Sequence, residues 1–158
     1  MRTAVQQEYI DKLREFPAIF EALVANLPDA KLDCKEREGE WTVRQIVHHV
    51  ADSHMNAWSR MKLPLTEPHP TIKPYDQEKW AEQPDYALPV AISLLIITGL
   101  HQRMVALLES LSPDDWKKPL YHPEAGRDMT VEDVANTYAN HGYEHIGQIN
   151  KIRAMHGW

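Results

Sequence analysis

The 158-residue chain has a single cysteine, Cys34. One thiol cannot make an intramolecular disulfide, which excludes a disulfide-stapled scaffold. Positive charge is in deficit too. Lys and Arg number 17 against 23 Asp and Glu, a formal net charge of −6. A chain so charged lacks the electrostatic footprint of a nucleic-acid binder and the cationic face that anionic lipid attracts. The opening segment MRTAVQQEYIDKLREF is charged throughout and has no apolar stretch of the signal-peptide kind. The longest apolar run, LPVAISLLIITGL, is short for a bilayer crossing and is interrupted by Pro, Ser, Thr and Gly. These absences lead to the expectation of a soluble, cytoplasmic protein acting on a small molecule, with neither nucleic acid nor membrane as partner.

What is present points to one domain spanning residues 1–158. The length and an apolar content of 43% suffice for a substantial core. No repeat, low-complexity tract or linker divides the chain.

Helical periodicity dominates. Ile10, Leu13, Phe16, Phe20, Leu23 and Leu27 follow helical spacing over residues 3–26. Pro17 lies inside that segment and predicts a kink or a restart. A second helix opens at Thr42, where T-x-x-Q with Gln45 is a capping box. Trp41 precedes the cap and is placed to staple against Ile46, and Pro64 is expected to end the helix. Residues 64–84 are rich in proline and predict a long ordered loop with one short helical turn near residues 77–82. A third helix runs from Pro89, expected at its first position, to about Ser110. Its first half is apolar nearly all round, which suits a bundle interior or a subunit interface. Ser112 caps a short turn, and KKPLYHPEAGRD is a polar loop with room for a small hairpin. The fourth long helix starts at Thr130, places Glu132 and Asp133 in its first turn where the dipole favours them, and closes at Gly157. Strand signals are nearly absent. The expected class is all-α, a four-helix bundle with a long crossover loop.

Nine histidines are many for this length. On the last helix, Val134, Tyr138, His141, His145, Gln148 or Ile149, and Ile152 step by three or four, so both histidines face the core. Spacing i, i+4 stacks two imidazoles on one side, where both can reach one ion. The plainer alternative is a pair of core histidines, each with its own hydrogen-bond partner. A two-residue metal site needs a third ligand. On the second helix His54 falls within the apolar stripe of Val43, Ile46, Val50, Ala57 and Met61. His49 lies at its edge, on a polar track with Gln45, Ser53, Asn56 and Arg60, and His48 points largely away. Helical arithmetic does not decide between His54 and His49. Asp52 is spaced to accept from His48 or His49. His69, His101, His122 and His156 are expected to be structural or solvent-exposed.

The blocks EWTVRQIVHHVADSHMNAWSRMKLPLTE, PTIKPYDQEKWAE and YHPEAGRDMTVEDVANTYANHGYEHIGQI resemble the YfiT-like branch of the DinB superfamily, a name unrelated to the DNA polymerase. The resemblance extends from about Trp41 to the C-terminus. It implies a four-helix bundle with a divalent metal held by three histidines, matching His49, His141 and His145 here. It also implies a homodimer and an activity described as hydrolase or bacillithiol transferase. Tyr143, Glu144 and Gln148 stand where some relatives have further histidines.

Three neutral imidazoles leave a divalent ion with an open position, the layout of a catalytic site. Histidine-only ligation suits zinc, nickel, copper or iron, with zinc or nickel foremost. The open position could serve metal-assisted hydrolysis or hold a low-molecular-weight thiol as its nucleophilic thiolate. Cys34 lies outside the motifs, so such a thiol would be a co-substrate. Asp52, Asn56, Arg60 and Gln148 are candidate contacts to a ligand histidine or to substrate, and no residue has the spacing that would identify a general base. The alternative from another class is a bundle that binds metal or a small ligand without turnover.

Overall fold

The computed structural model describes residues 2–158. In chain order its helices are α1 (Ala4–Val24), α2 (Asp29–Leu32), α3 (Val43–Thr66), α4 (Gln77–Ala81), α5 (Val90–Ser110) and α6 (Val131–His156). A hairpin of β1 (Pro119–His122) and β2 (Arg127–Thr130) precedes α6, with Pro119 opposite Thr130 and His122 opposite Arg127. The expected all-α bundle is present, and the polar loop before α6 holds the hairpin.

Three of the four long helices begin at a reciprocal cap. Thr42 Oγ1 accepts from the Gln45 N–H at 3.1 Å, and Gln45 Oε1 accepts from the Thr42 N–H at 3.0 Å. Thr3 with Gln6 and Thr130 with Asp133 repeat the device on α1 and α6. Helix α6 ends where Gly157 turns left-handed at φ 73°. Helix α5 has no side-chain cap, and Pro89 sits just outside it rather than at its first position.

Two proline expectations need correcting. Pro17 does not restart α1, which is continuous from Ala4 to Val24. Pro64 does not end α3, which runs to Thr66. A helical proline removes one N–H donor, and its fixed φ is itself helical. Near the C-terminus of α3 the loss is small, because the Glu67 N–H still reaches the Leu63 carbonyl at 2.9 Å.

Helices α1 and α3 each pack against both α5 and α6, so the order around the bundle is α1, α5, α3, α6. The two diagonals place the first pair of long helices opposite one another. The neighbours α3 and α5 run parallel, since the first halves of both share one apolar cluster and the second halves another, so the crossover after α3 must return along the bundle. That segment is strapped down along its length. The Ile72 N–H donates to the Tyr121 carbonyl at 3.0 Å, and the Tyr121 N–H to the Pro70 carbonyl at 2.9 Å. Further on, Gln45 Nε2 donates to the Ala81 carbonyl at 3.2 Å and Trp41 Nε1 to Glu78 at 2.9 Å.

As a continuous helix of 21 residues, α5 is long and apolar enough to cross a membrane, so the shortness of the run excludes nothing. It is a bundle helix here. One face buries Val90, Leu94, Ile97, Met104 and Leu108, together with Ser93 and His101. The other leaves Leu95 75% exposed, with Ile92 and Ile96 about half so.

The core divides into two apolar clusters. One gathers Leu13, Ala57, Met61, Met104, Leu108, Val134 and Ala139. The other gathers Phe16, Phe20, Val50, Ile97, Ile149 and Ile152. On each long helix the division falls at the same height: after Leu13 on α1, near His54 on α3, near His101 on α5, and from His141 to His145 on α6. A seam of imidazoles crosses the bundle between the two clusters.

Candidate metal centre

Helix α3 contributes His49 to this seam and α6 contributes His141 and His145. One ring nitrogen from each can be chosen so that all three lie within 4.8 Å of one another. Burial pushes His49 and His141 down to about 3, and lowers His145 as well. All three rings are neutral at pH 7, the form in which imidazole has a lone pair for a metal.

Hydrogen-bond partners show which nitrogens are free. His145 Nδ1 donates to Gln148 Oε1 at 3.0 Å. A neutral imidazole with its proton on Nδ1 has a bare Nε2. His141 Nδ1 faces His54 Nε2 at 3.2 Å. The Nε2 atoms of His141 and His145 face each other, also at 3.2 Å. Two nitrogens bound to one tetrahedral zinc at about 2.0–2.1 Å would stand roughly 3.3 Å apart. His49 is 2% exposed and has no hydrogen-bond partner at Nδ1. Trp41 covers it, with ring centroids 4.5 Å apart. A buried polar atom left without a partner is costly in an ordinary core. The donor set, the spacing of the Nε2 atoms and the unpartnered His49 all fit a divalent ion.

Of the two second-helix candidates, His49 joins the α6 pair and His54 does not. His54 is fully buried behind His141. His48 does point away from the centre, but into α5 rather than into water. Its Nε2 donates to the Leu88 carbonyl at 3.0 Å, and its Nδ1 accepts from Ser93 Oγ at 2.7 Å.

The remaining candidates separate. Gln148 touches His145 as described. Arg60 Nη1 donates to Tyr138 Oη at 3.0 Å, and the Tyr138 ring lies 5.5 Å from His141. Asp52 bonds neither His48 nor His49. It accepts from Tyr86 Oη at 2.8 Å, and burial raises its carboxyl pKa. Asn56 turns back to the Asp52 carbonyl at 2.9 Å and does not line the cleft.

That cleft, about 550 Å³, opens beside His141. Arg60, Ser53, Tyr138 and Tyr75 line it, with Asp76 and Glu124. Burial pushes the Tyr75 hydroxyl up to about 12. Tyr75 comes from the proline-rich crossover, so that loop forms one wall of the cleft.

Sequence reasoning missed Tyr75, and it missed Trp41 as the cover of His49. Trp41 was expected over Ile46, although a ring at N′ also reaches the next turn. His101 was expected to be merely structural or exposed, yet it is 1% exposed and belongs to the seam.

Comparison with known proteins agrees with this geometry. The family model for the DinB superfamily matches residues 12–149. A protein of Oceanobacillus iheyensis, provisionally named a metal-dependent hydrolase, is 43% identical over 151 residues, covering 96% of this chain and 87% of its own. One from Bacillus mycoides with the same provisional name is 44% identical over 158 residues, covering 98% and 91%. Among solved structures, YfiT from Bacillus subtilis, described as a probable metal-dependent hydrolase with an unusual four-helix bundle topology, superposes with a TM-score of 0.95. It is 38% identical, covering all of this chain and 91% of its own. A mycothiol-dependent maleylpyruvate isomerase shares the fold, with a TM-score of 0.73 at 14% identity over 91% of this chain and 60% of its own.

Proposed function

The chain belongs to the DinB superfamily, and from that premise we propose a metal-dependent enzyme with His49, His141 and His145 as ligands. Its action is hydrolysis of a small molecule, or transfer to it of a low-molecular-weight thiol. One observation carries the reading: the Nε2 atoms of His141 and His145 face each other across 3.2 Å, the spacing of two ligands on one ion, beside a buried histidine with no partner at Nδ1. Zinc or nickel suits three imidazoles. When bound, the ion supplies Lewis acidity for activating a water or thiol nucleophile.

The chain's own residues supply orientation and selectivity. Gln148 holds the His145 proton on Nδ1. Trp41 excludes water from His49. Arg60 makes no ion pair among the described residues, and its Nε is buried without a partner. Asp76, on the same cleft, is already paired with Lys79 at 3.0 Å. A guanidinium held by Tyr138 beside His141 suits a substrate carrying carboxylate or phosphate. Asp52 and Asn56 support the α3 backbone and crossover rather than substrate.

The exposed apolar face of α5, with Leu88 and Met55 beside it, supports a homodimer of this chain. The cytoplasm, where low-molecular-weight thiols are held reduced, is the compartment this reading fits.

Metal analysis of untagged protein tests the centre. Near-stoichiometric divalent metal, lost in a His141→Ala, His145→Ala double variant, is expected, and unchanged metal in that variant refutes it. Esterase and amidase substrates run beside electrophiles offered with a panel of thiols separate hydrolysis from transfer. A metal-loaded protein inactive in both panels would favour the non-catalytic metal-binding bundle.

A further inference from the structure

The seam extends past the three ligands, and each long helix contributes one group to it. In an α-helix the N–H of residue 17 would donate to the carbonyl of residue 13. Residue 17 is proline, so the Leu13 carbonyl has no such partner. The His101 ring reaches it from α5, with Nδ1 2.6 Å from Leu13 O. His101 Nε2 faces His54 Nδ1 at 2.8 Å. His54 Nε2 faces His141 Nδ1 at 3.2 Å.

Proton placement for neutral rings can be followed outward from the Leu13 carbonyl. A carbonyl oxygen only accepts, so the His101 proton is on Nδ1 and its Nε2 is a bare acceptor. His54 therefore donates from Nδ1, which leaves its own Nε2 bare. His141 must then donate from Nδ1, which leaves its Nε2 bare and facing His145. The reverse direction would set two acceptors 2.6 Å apart at Leu13. His54 is 0% and His101 1% exposed, and neither ring has a carboxylate among its hydrogen-bond partners, so the rings are neutral. Phe16 stacks on both, at 5.6 Å from His54 and 5.2 Å from His101.

We propose that His54 and His101 are positioning residues: anchored on the carbonyl that Pro17 leaves free, their one-way N–H···N chain fixes His141 as the Nδ1–H tautomer and aims a bare Nε2 at the metal centre. An unanchored neutral imidazole populates both tautomers. His141 with its proton on Nε2 would donate to His145 instead of ligating. The proposal rests on the metal reading above for its purpose, but the tautomer is a property of the metal-free chain.

Two measurements on full-length protein test it. The first is the two-bond proton–nitrogen correlation spectrum of ¹⁵N-labelled, metal-free wild type at pH 8. His101, His54 and His141 should each show a protonated Nδ1 and a bare Nε2. A protonated Nε2 on His54 or His141 overturns the proposal. The second is His101→Phe, which keeps a ring against Phe16 and removes both the acceptor for His54 and the donor to Leu13. The His141 tautomer should shift toward Nε2–H, and Zn²⁺ affinity measured against a chelator should fall about tenfold to a hundredfold. A purely structural His101 would lower thermal stability and leave tautomer and affinity unchanged, which also overturns the proposal. If the variant does not fold, the wild-type spectrum decides alone. If wild type binds no Zn²⁺, the metal reading fails, and the spectrum still decides whether the chain exists.

Discussion

Acid should unfold the metal-free protein at a higher pH than carboxylate titration alone would require. His101 falls from an ordinary 6.5 to about 4 through burial, and His54 is held well below its ordinary value by the same cause. Neither ring has a polar exit, since His101 is 1% exposed and His54 0%. A group whose folded pKa is depressed gives its full stabilisation above the unfolded pKa, and this is lost as pH falls toward the folded pKa. The window therefore opens near 6.5 and runs to about 4 for His101. Each ring that takes up a proton only on unfolding contributes a slope of about 1.4 kcal/mol per pH unit. For His101 this amounts to about 3 kcal/mol over its window, a large part of the total stability of an ordinary domain, and His54 adds in the same direction. His49 and His141, at about 3, add to the same slope. Urea titrations followed by circular dichroism, in chelator, should show the midpoint dropping steeply between pH 6.5 and 4.5. Unfolding in water should follow near pH 5, above the usual carboxylate range of about 4. Saturating Zn²⁺ should restore stability at pH 6.5 through mass action. A urea midpoint unchanged between pH 7 and 5 in metal-free protein would refute the buried, neutral seam.

Three further outcomes are expected. A Cβ at Gly142 would lie 2.4 Å from Phe16 Cε2, whereas one at Gly147 meets nothing within 4 Å. Gly142→Ala should therefore destabilise by about 1–3 kcal/mol, and Gly147→Ala should stabilise by up to about 1 kcal/mol, both read from urea midpoints. Arg60→Met should reduce kcat/KM for carboxylate-bearing substrates about tenfold or more while leaving metal content unchanged; equal losses for neutral analogues would show that Arg60 does not contact the anion. Leu95→Lys, at a side chain 75% exposed, should convert a dimer into a monomer in sedimentation velocity with little change in thermal stability.

Much of this architecture was legible because its signals are local. Thr42 with Gln45 marks a helix start within four residues, and the stripe from Val134 to Ile152 places His141 and His145 inside without any tertiary knowledge. The choice between His49 and His54 was not local. Both rings project toward the interior of α3, and only the rotation of that helix against α6 settles which one meets the pair. The resemblance to a known family pointed to His49, on information the residues alone do not contain. Tyr75 was hidden for another reason: it lies in a crossover whose path is fixed by bonds to Tyr121, Gln45 and Trp41, not by periodicity. Pro17 was visible as a perturbation, but not its consequence for the carbonyl of residue 13. A proline inside a helix was taken as a threat to that helix. The helix continues, and the consequence is a freed acceptor on Leu13.

That freed acceptor explains how an apolar bundle accommodates a polar layer. A buried imidazole left with an unpartnered N–H would cost about 1–3 kcal/mol, and a chain of neutral rings can pair all of its donors only if something at one end does nothing but accept. A serine or water at that end could donate as well, so the proton order could reverse. A backbone carbonyl cannot reverse it. In a continuous helix the carbonyl facing the core is normally committed to its own ladder, and proline releases it with no change of side chain at residue 13. His141, His54 and His101 donate hydrogen bonds in one direction toward Leu13, and the lone pair remaining at the other end lies on His141 Nε2, 3.2 Å from His145 Nε2. A partly satisfied polar layer is worse than an apolar one, whereas a fully satisfied one specifies a single arrangement. By this logic Pro17→Ala should weaken the chain from its anchored end. The new N–H at residue 17 competes for the Leu13 carbonyl, and the His101 Nδ1–H should exchange with solvent faster in the variant. Unchanged exchange at His101 would mean that the carbonyl accommodates both donors and that proline is not what releases it.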